Sequence, residues 1–137
     1  MRISISKACL GLAFLCMTPA TGFAEKSYLC AINEVYECVA VTGCSRISIE
    51  NANLPGAMLL DVEKKQFRSA PLGQDPSTDD IDSVTVTDDA ILLHGTGRRE
   101  TNRTWSAVIS LKTGNLSAGV STPDSSLALS GRCTGQP

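Results

Sequence analysis

The sequence predicts an all-β protein: an antiparallel meander of about eight short strands that forms a small barrel or a sandwich, after a helical signal peptide. Apolar and polar residues alternate repeatedly along the chain, and turn-forming residues separate the alternating runs. Four cysteines remain once the signal is removed, an even number that indicates two disulfides in a small exported domain. The one helix candidate after the signal, residues 51–60, is interrupted by Pro55.

Residues 1–24 have the three parts of a secretory signal. Arg2 and Lys7 form a basic start, and residues 8–17 form an apolar run. This run is too short for a membrane-spanning helix, which needs about 20 residues. Small residues before the predicted cut after Ala24 complete the pattern. A retained membrane anchor and a lipoprotein signal are the alternatives.

Cleavage leaves residues 25–137, which is 137 − 24 = 113 residues and enough for a single disulfide-bonded β domain. The signal contains two of the 12 basic residues and none of the 14 acidic ones, so the mature net charge is 10 − 14 = −4. An acidic chain lacks the basic face that nucleic acid binding requires. No other segment is apolar enough to cross a membrane, so we expect a periplasmic or secreted protein that is not an integral membrane protein.

The first half of the mature chain has five predicted strands and one long loop. Each strand is marked by apolar residues on one face. The markers are Tyr28, Cys30 and Ile32 for the first strand, residues 36–41 for the second, Ile47 and Ile49 for the third, Met58, Leu60 and Val62 for the fourth, and Phe67 for the fifth. Residues 71–80 contain two prolines and three aspartates, and they predict the longest loop.

The second half predicts five more strands joined by short turns. The clearest is residues 104–111, where Trp105 shares a face with apolar residues at every second position. Residues 112–115 then form a tight turn, with Gly114 suited to a positive φ. The other strands are marked by Val84 and Val86, by Ile91 and Leu93, by Leu116, Ala118 and Val120, and by Leu127, Leu129 and Cys133.

The cysteine positions favour one disulfide pairing of the three that are possible. Cys30 lies on the first strand and Cys133 on the last, and both are in phase with inward-facing residues, so a bond between them ties the terminal strands together. Cys38 and Cys44 then close a short loop. The rival interpretation is a four-cysteine zinc site, but no CxxC pair is present.

Catalytic and metal-binding constellations are weak. His94 is the single histidine, and it lies at a strand end, where a solvated side chain is the ordinary role. Aspartates are concentrated between residues 75 and 89, yet their spacing differs from a calcium loop and predicts a solvated segment. We therefore expect no catalytic residue, no metal and no cofactor.

The polar loop at residues 95–103 is the best candidate binding site. It carries Arg98, Arg99 and Arg103, whose guanidinium groups suit an anionic partner. A merely soluble turn is the alternative. Trp105 follows directly and is predicted to anchor the core, with a ligand-contacting wall as its alternative role.

The chain resembles small uncharacterised secreted or periplasmic β-rich proteins of proteobacteria. The resemblance rests on the early cysteine group, on the segment WSAVISLKTGNL that begins at Trp105, and on a last strand that ends with Gly131 and Cys133. It implies a Gram-negative periplasm and no particular activity.

Three functions remain open from the sequence. The first is a non-enzymatic β domain that binds an envelope protein or another partner through loops at one end. The second is a small-ligand carrier of the lipocalin type, which requires an internal cavity of roughly 300 Å³. The short chain and its few aromatic residues favour a filled interior instead. The third is a carboxylate-dependent hydrolase, which requires two acidic side chains in one cleft.

Overall fold

Ten β-strands account for most of the chain that the structure describes. The structure is a computed structural model, and it describes residues 27–69, 77–97 and 102–136. The predicted signal, residues 1–24, lies outside them. Within these residues no helix is long and apolar enough to span a membrane. The strands are β1 (Ser27–Val39), β2 (Gly43–Ile47), β3 (Ala57–Asp61), β4 (Gln66–Ser69), β5 (Ser77–Asp80), β6 (Ser83–Val86), β7 (Ala90–Thr96), β8 (Thr104–Ser110), β9 (Asn115–Ser121) and β10 (Ser125–Gln136).

The strands form one antiparallel sheet that curls into a half-barrel, which confirms the predicted all-β class. The order across the sheet is β5-β4-β3-β1-β10-β9-β8-β7-β6, and β2 pairs with the second half of β1. Most neighbours in the sheet are consecutive in sequence, as short turns require. The long pairing of β1 with β10 joins the first and last strands. Strands β3 to β5 lie on the β1 side of this pair, and strands β6 to β9 lie on the β10 side.

The two edge strands are consecutive segments of chain. The path across the sheet from β5 to β6 has eight pairs of neighbouring strands, and every pair is antiparallel. Because eight is an even number of reversals, β5 and β6 run in the same direction. Only Ile81 and Asp82 separate them, so their ends lie within about 11 Å of each other. The Ile81 N–H donates to the carbonyl oxygen of Lys65 at 2.7 Å, whereas Thr96 Oγ1 donates to Asp82 Oδ2 at 3.1 Å. The chain thus passes from one edge of the sheet to the other, which curls the sheet.

Strand β1 corrects one prediction. Residues 28–32 and 36–41 were predicted as separate strands, yet one continuous strand spans Ser27–Val39. An irregularity between Ile32 and Glu34 shifts the pairing with β10 and changes the strand's direction. Gly131 lies opposite, and a Cβ atom there would overlap the carbonyl oxygen of Ala31. The strand therefore bends instead of ending.

Residues 51–60 form turns followed by β3, in agreement with the interruption of this helix candidate by Pro55 and with the strand predicted from Met58. Two further predictions were wrong in detail. Residues 77–80 of the predicted loop at 71–80 form strand β5, and residues 71–76 lie outside the described residues. Ile49, Val62 and Leu111 were assigned to strands but lie in the connections that follow β2, β3 and β8.

Both predicted disulfides are present. Cys30 and Cys133 face each other across β1 and β10, and we name this bond the terminal-strand disulfide. Cys38 and Cys44 face each other across β1 and β2, and we name this bond the hairpin disulfide. Disulfides persist in oxidising compartments, so this pairing is consistent with a protein that works outside the cytoplasm.

The inward faces of the strands form the core. Ile91 and Ile109 are the most deeply buried large side chains, at 0% and 1% exposure, and they are cross-strand partners on β7 and β8. Ile81 at the edge-to-edge crossing is 3% exposed and packs in the same cluster. A second cluster, around Val35 and Val120, occupies the opposite end of the half-barrel. The alternation read from the sequence therefore identified the core.

Candidate functional site

The interior of the half-barrel contains a cavity of about 260 Å³. The prediction of a filled interior was therefore wrong. The deeper wall of the cavity is apolar, and inward-facing side chains of four strands, β3, β7, β8 and β9, contribute to it. The side chains that shape it include Met58, Leu93, Ala107, Ile109, Leu116 and Ala118. Two of these are alanines, at positions where larger side chains would fill the space.

An aromatic pair crosses this interior. Phe67 on β4 and Trp105 on β8 belong to opposite walls, and their ring centroids lie 5.7 Å apart with the rings nearly perpendicular. Such edge-to-face contacts are favourable between aromatic rings. Trp105 also packs against both core clusters. Trp105 is therefore a core residue, as predicted, that also forms part of the cavity wall, and its contact with a ligand stays a prediction.

Gly95 explains the position of the Trp105 indole. The two residues are direct cross-strand partners on β7 and β8. A Cβ atom at position 95 would overlap the six-membered ring and Nε1 of the indole. The absence of a side chain on Gly95 therefore allows the indole to lie over the backbone of β7, where it faces the cavity.

The cavity opens at one end of the half-barrel. Strand direction places there the beginning of β3, the end of β4 with the beginning of β5, and the end of β7 with the beginning of β8. Residues at or beside these strand ends line the cavity, and we call them the mouth: Asn53, Leu54 and Pro55, then Ser69 and Ser77, then Thr96, Gly97 and Arg103. The Gly97 N–H donates to the carbonyl oxygen of Arg103 at 2.8 Å and closes the base of the β7–β8 loop.

Three charged residues line the cavity among the described residues: Asp79, Asp80 and Arg103. Asp80 Oδ1 accepts a hydrogen bond from Gln66 Nε2 at 2.8 Å, and both Asp80 and Arg103 have further partners within the chain. Asp79 is the direct partner of Phe67 across β4 and β5, so its half-buried side chain shares the inner face with that ring. The Asp79 carboxylate makes no hydrogen bond or ion pair with any described residue.

The predicted arginine site is only partly described. Arg103, which belongs to the predicted binding loop at residues 95–103, lies at the mouth. Arg98 and Arg99 lie outside the described residues, so an anionic partner for the three arginines stays a prediction.

The other predicted candidates lie away from the cavity. His94 is exposed on the outer face of β7, between Ser83 and Ser106 on the neighbouring strands. Asp88 and Asp89 lie in the turn at the opposite end of the half-barrel. Across the described part of the chain, no three His, Cys, Asp or Glu side chains are placed to hold a metal ion.

Asp79 is the site residue that sequence reasoning missed. It was assigned to a solvated loop because β5, Ser77–Asp80, contains no apolar residue. Its inward positions are polar because they border the mouth instead of the packed core. In the structure Ser77 and Asp79 are half-buried and Thr78 between them is exposed, which is the alternation of a strand. The sequence did not reveal this alternation because all three residues are polar.

A second concavity, of about 450 Å³, lies outside the half-barrel beside the β1 irregularity. Its walls are formed by residues 33–35 and 46–50, half of them exposed. Glu34 and Arg46 form an ion pair across it at 3.3 Å. This shallow, internally paired surface offers little apolar area, so the interior cavity is the stronger candidate.

The cavity is suited to binding. The hydroxyls of Ser69 and Ser77 are in its described lining, but the imidazole of His94 faces away from them. Comparisons with protein-family models, with curated proteins and with solved structures find no match for this chain.

Proposed function

We propose that this protein is an exported, non-enzymatic binding domain that takes a small apolar molecule into the half-barrel. The observation that carries the proposal is the apolar cavity of about 260 Å³ beside the Phe67–Trp105 pair. Small-molecule sites are typically concave and apolar, with a few polar groups at the opening. This cavity has that distribution of apolar and polar residues.

The volume limits the ligand. A cavity of about 150 Å³ lined by aliphatic and aromatic side chains holds benzene. By proportion, 260 Å³ accommodates an apolar body of about ten non-hydrogen atoms. It is slightly smaller than the roughly 300 Å³ at which pockets for drug-sized ligands begin. The ligand is therefore smaller than the typical cargo of a lipocalin-type carrier.

Binding of a partner protein at the same end is the second candidate. Arg103 belongs to the mouth, so a partner that contacts the β7–β8 loop would also cover the cavity. An envelope protein that inserts one apolar side chain fits this arrangement. Replacing Arg98 and Arg99 by alanine is expected to reduce binding of such a partner, and equal binding would remove the loop from this candidate.

A carboxylate-dependent hydrolase is less well supported. Asp79 and Asp80 both line the cavity, which is the clustering that this alternative requires. Consecutive side chains on a strand point to opposite faces, however, and Asp80 pairs with Gln66 on the face opposite Asp79. The two carboxylates therefore do not flank a common bond, as glycoside hydrolysis needs.

Periplasmic or secreted localisation is part of the proposal. The N-terminal pattern and the two disulfides support it. N-terminal sequencing of the protein from its natural host is expected to begin at Glu25. A chain that retains its first 24 residues in the cytoplasmic fraction would contradict export.

The ligand proposal is tested with 1-octanol as a neutral apolar probe. Trp105 is the only tryptophan of the chain, so its fluorescence reports the cavity directly. We expect saturable emission changes on titration. Ala118→Leu, which fills the cavity, is expected to abolish them. Ala128→Leu on the exposed face of β10 is the matched control and is expected to bind normally. Equal binding by both variants would contradict an internal site.

A further inference from the structure

Asp79 is the one charged residue of the described cavity lining that has no hydrogen-bond or ion-pair partner among the described residues. Of the three charged residues in the described lining, Asp80 and Arg103 have partners within the protein. The Asp79 carboxylate has none among the described residues and is half-buried beside Phe67. A carboxylate that no described side chain contacts attracts a cation, and the neighbouring apolar wall screens that attraction less than bulk water does.

We infer that the ligand is a cationic amphiphile: a primary ammonium group attached to an apolar body of about ten non-hydrogen atoms. The inference rests on the proposed function and adds the chemistry of the head group. The ammonium would lie against Asp79 near the mouth. The apolar body would extend toward Ala107, Ile109 and Ala118 in the deeper wall.

The aromatic pair supports the same head group. Asp79 and Phe67 are direct cross-strand partners, so their Cβ atoms lie about 5 Å apart. Phe67 in turn contacts Trp105. An ammonium group beside Asp79 therefore lies within reach of aromatic rings, whose faces attract cations. A carboxylate head group at this position would meet repulsion from Asp79 and no attraction from the ring faces.

Three probes with one tail test the inference. Octylammonium, 1-octanol and octanoate are titrated separately at neutral pH and low salt, with Trp105 fluorescence as the readout. Octylammonium is expected to bind about tenfold more tightly than 1-octanol, from one charge-assisted contact and one cation–π contact. Octanoate is expected to bind most weakly. The preference for octylammonium should decrease as added salt screens the charge.

The outcomes separate this inference from the proposed function. Binding of 1-octanol without any preference for octylammonium would overturn the head-group assignment and leave the apolar cavity site in place. Tighter binding of octanoate than of octylammonium would also overturn the head-group assignment, and it would favour recognition of an anionic head group by Arg103. Failure of all three probes to bind would overturn the proposed function as well.

A matched pair of variants identifies the residue. Asp79→Asn removes the charge with little change in volume, and we expect it to abolish the preference for octylammonium over 1-octanol. Asp88→Asn makes the same change in the exposed turn at the opposite end and is expected to retain the preference. A near-UV circular dichroism spectrum that matches the unsubstituted protein shows that Asp79→Asn is folded. A preference that survives in Asp79→Asn would overturn the assignment.

Discussion

Gly95→Ala is the substitution that most directly tests how the cavity wall is built. The added methyl group would overlap the indole of Trp105, so the indole must move away from β7. Insertion of a carbon into a packed site costs about 1–3 kcal/mol, and a disturbed aromatic pair costs about 1 kcal/mol more. The lower strand propensity of glycine offsets about 0.5–1 kcal/mol. We expect a net loss of about 2 kcal/mol in the free energy of unfolding.

Gly119→Ala is the matched control. Gly119 also lies within a strand, but its added methyl group would meet only the carbonyl oxygen of Leu127 at an ordinary 3.8 Å. Urea denaturation of both variants, with the disulfides intact, measures the difference. For a domain of this size, 2 kcal/mol corresponds to a decrease of about 8 °C in Tm. Equal stability of the two variants, with unchanged Trp105 emission in Gly95→Ala, would refute this account of the wall.

Three other predictions follow from the fold. Replacing both cysteines of the terminal-strand disulfide with alanine is expected to lower the free energy of unfolding by about 5 kcal/mol, against about 2 kcal/mol for the hairpin disulfide, because the first bond closes a far longer loop. Denaturant titration of the two variants measures both losses. Equal losses would contradict the argument from loop length. Gly131→Ala is expected to prevent folding because its methyl group would overlap the backbone carbonyl oxygen of Ala31, which cannot rotate away as a side chain can. A near-UV circular dichroism spectrum of a folded protein would contradict this prediction.

The third concerns Asp61. Hydrogen bonding from the Lys64 backbone N–H lowers the pKa of its carboxyl below the ordinary 3.8. Its contribution to stability is therefore present above pH 3.8 and lost as the pH falls through the lower folded pKa. An NMR titration of the carboxyl carbon with its midpoint at or above 3.8 would contradict the prediction.

The sequence predicted the parts of the fold that depend on local alternation. The inward faces of residues 104–111 and 116–120 were read correctly, because strand side chains alternate whatever their partners are. The terminal-strand disulfide was also readable, because Cys30 and Cys133 are in phase with buried neighbours. These signals lie within single strands.

The parts that depend on tertiary pairing were not readable. Nothing local indicates that residues 36–39 continue β1 or that Ile81 and Asp82 cross from one sheet edge to the other. The cavity was equally hidden, because alternation shows which side chains face inward but not whether they fill the space. Asp79 looked like part of a loop because a strand beside the mouth has no apolar face to bury.

The location of a bound probe tests the central claim most directly. Isotope-filtered nuclear Overhauser spectra of the protein with 1-octanol record which methyl groups contact the probe. We expect contacts with the methyl groups of Ala107 and Ala118 inside the half-barrel. Contacts confined to Leu92 and Val108, a partly exposed pair on the outer face of β7 and β8, would place the probe outside and contradict an internal binding site.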